Sequence, residues 1–178
     1  SRGLGDVYKR QVKELLGPEK VKPTFISRKD AVGIANGLAW TSVGGEMLPV
    51  EVAVIPNGTG KIEITGSLGD VMKESAQLAV TYAKVHAEEY GIDPERLKKC
   101  DLHIHAPEGA VPKDGPSAGV TLTTALVSCL SGVPVRGDVA MTGEITLHGN
   151  VLPIGGLREE SMAAYREGMK TVLIPKDN

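Results

Sequence analysis

The sequence has few aromatic residues, few cysteines and no excess of charge of one sign. Its 178 residues include one Trp, one Phe and four Tyr, so the core must be aliphatic, and a surface that stacks nucleic-acid bases on aromatic rings is not expected. Lys and Arg total 20 against 22 for Asp and Glu, which gives no electrostatic reason for binding nucleic acid or an anionic membrane. No apolar run approaches the roughly 20 residues of a membrane span, and there is no signal-peptide pattern. We therefore expect neither nucleic acid nor a membrane as a partner.

The two cysteines, Cys100 and Cys129, belong to no CxxC motif and no Cys/His cluster. A zinc site or other metal site is therefore not expected. Whether the two thiols pair is left open by the sequence. So low a cysteine count is typical of the reducing cytosol, and we expect a cytoplasmic protein.

The length and the apolar pattern predict one folded domain of the α/β class, of the α+β type. Residues 1–21 are interpreted as a remnant of cloning or sequence assembly followed by a short helix, and residues 22–178 as the domain. An N-terminal antiparallel β meander is predicted first, followed by mixed helices and strands. The predicted strands are 38–43, 48–55, 61–65, 101–106, 139–141, 145–152 and 171–174, and the predicted helices are 67–90, 116–130 and 157–167.

The segment PKDGPSAG, residues 112–119, lies between a predicted strand and a predicted buried helix. Pro116 suits the first helical turn, where its missing N–H costs nothing. Ser117 would then lie at the positive end of the helix, where the free N–H groups of Ser117 and Ala118 could hold an oxyanion. Two interpretations of Ser117 stay open at this point: a nucleophile, or an ordinary helix-capping serine.

A serine nucleophile needs a base, and the sequence offers two histidines and an acid nearby. His103 and His105 alternate along a strand and so share one face, and Asp114 precedes Ser117 by one turn. A Ser-His-Asp triad is conceivable, although we favour the alternative in which His105 and Asp114 only brace the loop. The Gly/Pro-rich turn could also bind a phosphate, but no P-loop or dinucleotide-binding pattern supports that interpretation.

Several motifs, in order along the chain, resemble the proteolytic domain of the Lon family of ATP-dependent proteases. They are PKDGPSAG at 112–119, MTGEITLHG at 141–149 and VLPIGGL at 151–157, with further agreement at GLAW, 37–40, and GSLGDVM, 66–72. The resemblance runs from about Lys22 to the C-terminus. It implies a cytosolic serine endopeptidase that degrades unfolded or damaged proteins as a homo-hexameric ring joined to an AAA+ ATPase. ATP and magnesium would be used by that ATPase part, and this chain would hold no cofactor.

In the family that the chain resembles, a Ser-Lys dyad carries out the chemistry, and one member of the dyad differs here. Ser117 matches the nucleophile, but GGLREE at 155–160 has Glu160 where the family has its lysine. A dyad lysine accepts the serine proton as a neutral amine, and glutamate carries the opposite charge. His105 is the better substitute base, because the guanidinium of Arg158 does not deprotonate near neutral pH. We therefore expect an inactive or weakly active protease.

The resemblance also implies supporting residues around the dyad. Thr142 would contact the dyad partner, Glu144 and Asp114 would be acidic residues lining the site, and His103 and His105 would be the paired strand histidines. For Thr142 and Glu144 the plainer alternative is local hydrogen bonding in a turn and a strand. Trp40 is predicted to pack in the core or at an interface.

Two other functions remain open at this stage. One is a non-catalytic structural ring domain of the same fold, which Glu160 makes plausible. The other is a phosphate-binding or small-molecule kinase domain that would use the Gly115–Gly119 loop.

Overall fold

A computed structural model describes residues 26, 28–42 and 44–178 of the chain. The predicted N-terminal segment 1–21, with its short helix, lies outside these residues. The described part contains eight strands, β1 Ile34–Thr41, β2 Gly44–Pro56, β3 Ile62–Thr65, β4 Cys100–His105, β5 Val139–Met141, β6 Glu144–Ile145, β7 Val151–Leu152 and β8 Thr171–Leu173. Its four helices are α1 Asp70–Val85, α2 Pro94–Lys98, α3 Gly119–Ser131 and α4 Leu157–Arg166.

Six of these strands form one mixed sheet in the order β3-β4-β2-β1-β5-β8, which confirms the predicted α/β class. The pairs β1–β2 and β2–β4 are antiparallel, and β3–β4, β1–β5 and β5–β8 are parallel. The predicted meander holds only for its first hairpin, because β4 inserts between β2 and β3. The side chain of Asp101 explains this: its Oδ1 accepts the N–H groups of Thr59, Gly60 and Lys61 at 2.9, 3.1 and 2.8 Å. The turn before β3 is thereby tied to the start of β4, and β3 runs parallel to that strand.

Helices cover both faces of the sheet. On one face α1 and α3 share a core of small and aliphatic side chains, among them Ala76, Ala79, Leu122 and Ala125. On the other face α4 buries Ala163 and Ala164 against Leu38 and Ala140. Successive side chains of β5 point to opposite faces of the sheet. Val139 and Met141 belong to the core shared by α1 and α3, and Ala140 belongs to the core beneath α4. The α4 helix therefore lies across the sheet from α3.

Two of the predicted helices differ from the structure at their ends. The predicted helix 67–90 ends at Val85, because the chain turns back and the N–H of Ile92 bonds to the carbonyl of Ala87 at 2.8 Å. Ile92 is thereby buried in the core, only 3% exposed. The predicted helix 116–130 begins at Gly119, because the carbonyl of Pro116 is used by a turn that the Gly119 N–H closes at 3.2 Å. Pro116 and Ser117 therefore precede the helix.

The predicted strand 145–152 is wrong as a single strand. It is a hairpin of two short strands, β6 and β7, around the turn 146–150. Thr146 closes this turn, donating its N–H to the carbonyl of Asn150 at 2.9 Å and accepting the N–H of Gly149 at 3.0 Å. Gly149 takes a left-handed conformation, φ +86°, which glycine adopts without steric cost.

Candidate active site

The turn before α3 brings Ser117 to the end of β5. The carbonyl of Ser117 accepts the N–H of Gly143 at 2.9 Å, and the carbonyl of Gly143 accepts the N–H of Val120 at 3.1 Å. This close approach needs glycine at 119, because an added Cβ there would lie 2.8 Å from Ile145. The half-buried Ser117 is therefore held against the turn formed by Thr142 and Gly143.

Glu160 lies in the first turn of α4 and is fully buried, at 0% exposure. Neither of its carboxyl oxygens has a hydrogen-bond partner among the described residues. Burial raises the pKa of Glu160 above its ordinary value, and the neighbouring Thr142 hydroxyl opposes that rise. No charged group contributes to the shift. The Thr142 hydroxyl is thus near the carboxyl, although the geometry falls short of a hydrogen bond. Such surroundings favour a neutral side chain at this position.

Thr142 joins the two sides of the candidate site. Its N–H bonds to the carbonyl of Leu173 in β8 at 3.1 Å, which anchors it at the end of the sheet. Its side chain is 2% exposed, and its hydroxyl lacks a hydrogen-bond partner within the described part of the chain. The carbonyl of Ser117 bonds to Gly143, and the carboxyl of Glu160 neighbours the hydroxyl of Thr142. Three residues that the sequence singled out are therefore gathered at one turn.

The two histidines make their contacts away from this turn. His103 Nε2 and His105 Nδ1 lie 2.9 and 2.7 Å from the same hydroxyl, Oγ1 of Thr65, and His103 Nδ1 lies 3.6 Å from a carboxylate oxygen of Glu63. A hydroxyl carries one proton, so at least one imidazole must donate to Thr65. These contacts join β3 to β4 and do not link His105 to Ser117.

Asp114 is also directed to another element. Its Oδ1 accepts the N–H of Met72 in the first turn of α1 at 3.0 Å. The N–H groups of Met72, Gly115 and Val71 lower the pKa of Asp114. The Ser-His-Asp arrangement is therefore not assembled by these contacts, and Asp114 braces the loop against α1. Glu144 is half-buried in β6, opposite Leu152 of β7.

Lys113 is a structural residue whose role the sequence did not suggest. Its Nζ donates to the carbonyls of Gly66, Glu108 and Val111 at 2.9, 2.8 and 2.9 Å. Burial lowers the pKa of this ammonium. The side chain holds the loop that precedes the Ser117 turn, since three carbonyls from two backbone segments converge on one cation.

A groove of about 250 Å³ lies between the end of the β1–β2 hairpin and the loop 107–114. Its walls include Trp40, Glu46 and Asp114, but neither Ser117 nor Glu160. Of the two predictions for Trp40, packing in the core is wrong, because the residue is 59% exposed, and packing at an interface stays a prediction. Sequence reasoning missed this groove, and the GLAW motif was the available signal for it.

Two further properties concern the described residues only. They contain no group of three or more His, Cys, Asp or Glu side chains arranged to hold a metal ion. None of their helices is both long enough and apolar enough to cross a membrane.

Comparison with known proteins shows the family of this chain. The family model described as the Lon protease (S16) C-terminal proteolytic domain matches residues 6–178. The chain belongs to the Lon protease family. Within it, the chain is 56% identical to the Lon protease of Brevibacillus choshinensis over 172 residues, which are 97% of this chain and 22% of that protein. It is also 56% identical to the Lon proteases of Chloroflexus aggregans over 167 residues and of Escherichia coli K12 over 165 residues, covering 94% and 93% of this chain and 20% and 21% of those proteins.

The Lon family match confirms the resemblance seen in the motifs and extends it upstream of Lys22. Lon proteases are serine-type peptidases, so membership places the chain in a peptidase family. The chain spans about a fifth of the length of the curated Lon relatives it matches.

Proposed function

We propose that the chain is the peptide-cleaving domain of an ATP-dependent Lon-type serine endopeptidase that degrades unfolded or damaged proteins. Ser117 would be the nucleophile, and position 160 would hold its activating partner. The observation that carries this proposal is the Thr142–Gly143 turn, because Ser117 bonds to Gly143 and residue 160 neighbours Thr142. Residue 160 is also buried from water, as a neutral base requires.

In the proposed reaction, Oγ of Ser117 attacks the scissile carbonyl and gives its proton to the residue at 160. In Glu160→Lys the protonated amine would then give that proton to the leaving nitrogen, and water would later hydrolyse the acyl ester left on Ser117. The oxyanion would be held by the N–H groups of Ser117 and Ala118, because those of Gly119 and Val120 are already bonded to the carbonyls of Pro116 and Gly143.

Glu160 impairs this mechanism for an electrostatic reason. As a neutral acid, which its raised pKa favours, it has no basic site strong enough to take the serine proton. As a carboxylate, it would add negative charge close to the developing oxyanion. We propose that this chain is inactive or weakly active, since loss of such a base costs on the order of 10³–10⁶ in turnover.

The groove beside Trp40 is the proposed approach for the substrate, because residues 112–114 in its wall lead directly to Ser117. Broad peptide specificity is expected. The protein would be a cytoplasmic homo-hexamer whose AAA+ region uses ATP and magnesium. The match covers only about a fifth of the length of the Lon relatives, which supports the part of this proposal that concerns a further, ATPase region.

A non-catalytic ring domain is the second candidate function, and the buried, unpartnered carboxyl of Glu160 favours it. Such a domain would keep the fold and the oligomer contacts without the chemistry. The phosphate-binding kinase alternative has no observation in its favour, since the family is one of peptidases.

The test compares cleavage of casein and of a fluorogenic peptide by the chain, by Glu160→Lys and by Glu160→Lys with Ser117→Ala. We expect only Glu160→Lys to cleave these substrates. Cleavage by the chain itself, abolished by Ser117→Ala alone, would instead point to another base, with His105 first. A fluorophosphonate probe read by intact mass reports Ser117 reactivity without a ring. Failure of Glu160→Lys both to cut and to react with the probe would reject the dyad assignment.

A further inference from the structure

We propose that Gly45 and its cross-strand partner Trp40 are positioning residues, which seat the first turn of α4 so that residue 160 reaches Thr142. The two residues are directly paired across β1 and β2. The inference rests on the proposed function, in which residue 160 activates Ser117. In this inference the end of the β1–β2 hairpin places residue 160 beside Thr142.

The first observation is the contact between Gly45 and the backbone of α4. A Cβ added at Gly45 would lie 1.9 Å from the carbonyl oxygen of Glu159 and 2.7 Å from the nitrogen of Glu160. Gly45 has no left-handed φ that would itself require glycine, so the need for glycine comes from the approach of two backbones. By contrast, nothing lies within 4 Å of a Cβ added at the neighbouring Gly44.

The second observation is the contact between Trp40 and the residue that precedes α4. A Cβ added at Gly156 would lie 2.5 Å from Cγ and 2.7 Å from Cδ2 of the Trp40 indole. Gly156 is the N-cap of α4 and is left-handed, with φ +77°. The indole therefore lies against the residue from which the helix starts, and Trp40 also lines the groove.

The last turn of α4 is tied to the same point of the hairpin. Arg166 donates from Nη2 to the carbonyl of Gly45 at 2.9 Å. The helix is thus held at its start by Trp40 and Gly45 and near its end by Gly45 again. With both ends held, the first turn cannot slide along the sheet, and Glu160 is kept at 0% exposure beside Thr142.

A side chain at position 45 would force the 159–160 backbone away from the sheet, since overlaps this short cannot be accommodated between two backbones. Residue 160 would then leave its dry position and gain water. The prediction is specific to residue 160, because the Ser117–Gly143 hydrogen bond joins the turn before α3 to the turn after β5, and neither Gly45 nor Trp40 takes part in it.

The first test measures placement without any catalytic readout. The side-chain carboxyl of Glu160 is titrated by carbon NMR in the chain, in Gly45→Ala and in Gly45→Val, with assignment by Glu160→Gln. Gly155→Ala is the matched control, because a Cβ there meets nothing within 4 Å and the residue is not left-handed. We expect the pKa of Glu160 to fall toward its ordinary value in both Gly45 variants and to stay raised in the control. An unchanged value in a folded Gly45→Ala variant overturns the proposal.

Trp40 supplies an independent signal, because it is the only tryptophan of the chain. Its fluorescence emission should shift in Gly45→Ala, as Gly156 withdraws from the indole, and should not shift in Gly155→Ala. The fluorescence measurement needs little protein, and it tests the contact without Gly45→Val, so it remains decisive if that variant fails to fold. An emission spectrum identical in all three proteins contradicts the proposed contact.

The second test asks whether placement affects chemistry. In the Glu160→Lys background, Gly45→Ala should lower kcat by about 100-fold with KM nearly unchanged, as expected for a reacting group displaced by about 1 Å. The acid limb of the pH–kcat profile should move to higher pH as the introduced lysine gains water. A purely structural effect would lower Tm and leave that limb in place. If Glu160→Lys neither cuts nor reacts with the fluorophosphonate probe, the proposed function fails, while the NMR titration still decides whether Gly45 positions residue 160.

Discussion

Thr142 and Glu160 place a hydroxyl and a carboxyl near each other in the interior, and neither group completes a hydrogen bond with a described residue. Both side chains are almost fully excluded from water. An unpaired buried carboxylate costs several kcal/mol, about as much as breaking a buried ion pair by removing one partner. The position is therefore suited to a neutral group, which a lysine amine with a depressed pKa would also be.

Glu160→Gln should remove a pH dependence from the stability of the domain. The folded pKa of Glu160 is raised by burial, so the folded state holds its proton while the unfolded state releases it. The free energy of unfolding should then fall as the pH rises from the ordinary glutamate value of 4.5 toward the raised one, by up to about 1.4 kcal/mol per pH unit. Urea unfolding at several pH values checks this, and equal slopes for the chain and the glutamine variant would contradict it.

Thr121→Val and Thr142→Val form a matched pair. Both hydroxyls are buried without a hydrogen-bond partner among the described residues, so each isosteric change should raise the free energy of unfolding by about 1 kcal/mol. In the Glu160→Lys background only Thr142→Val should reduce kcat, because Thr142, and not Thr121, acts on the pKa of residue 160. Steady-state kinetics and denaturant unfolding of both variants decide the matter. A loss of kcat in Thr121→Val would refute this assignment.

Asp114→Ala should lower Tm by a few degrees, because the carboxylate caps the start of α1 through the N–H of Met72. Its pKa is lowered by these N–H groups. The stabilisation is therefore present above the ordinary aspartate pKa and is lost as the pH falls through the lowered value. Asp114→Asn keeps an acceptor oxygen and is the control, expected to retain most of the Tm. A normal Tm with reduced kcat in the Glu160→Lys background would instead assign Asp114 to the chemistry.

Lys113→Met should loosen the loop that precedes Ser117. The change leaves the carbonyls of Gly66, Glu108 and Val111 without their shared donor, and we expect a loss of about 1–3 kcal/mol in unfolding free energy. Hydrogen exchange should accelerate at residues 107–115 before it does in α3. Uniform acceleration over the whole domain would argue against a local role.

The local sequence pattern predicted most of the helices and strands, whereas the chemical roles it suggested for the site residues stay predictions. Alternation along 48–55 predicted β2, and the apolar run after Gly119 predicted α3. The PKDGPSAG motif drew attention to Ser117, and position 160 was reached through the family resemblance. The order of β3, β4 and β2 was not predictable from alternation, because periodicity indicates which face of a strand is buried and not which strand lies beside it.

What the sequence by itself determined is the aliphatic core, the mixed α/β class, the family and the glutamate at position 160. Only the tertiary structure decided what surrounds that residue. Gly45 and Glu159 are far apart in the chain, and their contact depends on the way α4 crosses the β1–β2 hairpin. Likewise, only the tertiary structure shows that Asp114 accepts a hydrogen bond from α1 and that His105 contacts the hydroxyl of Thr65. The physical reason is that local propensities depend on near neighbours, whereas burial and pKa depend on contacts between segments that only folding brings together.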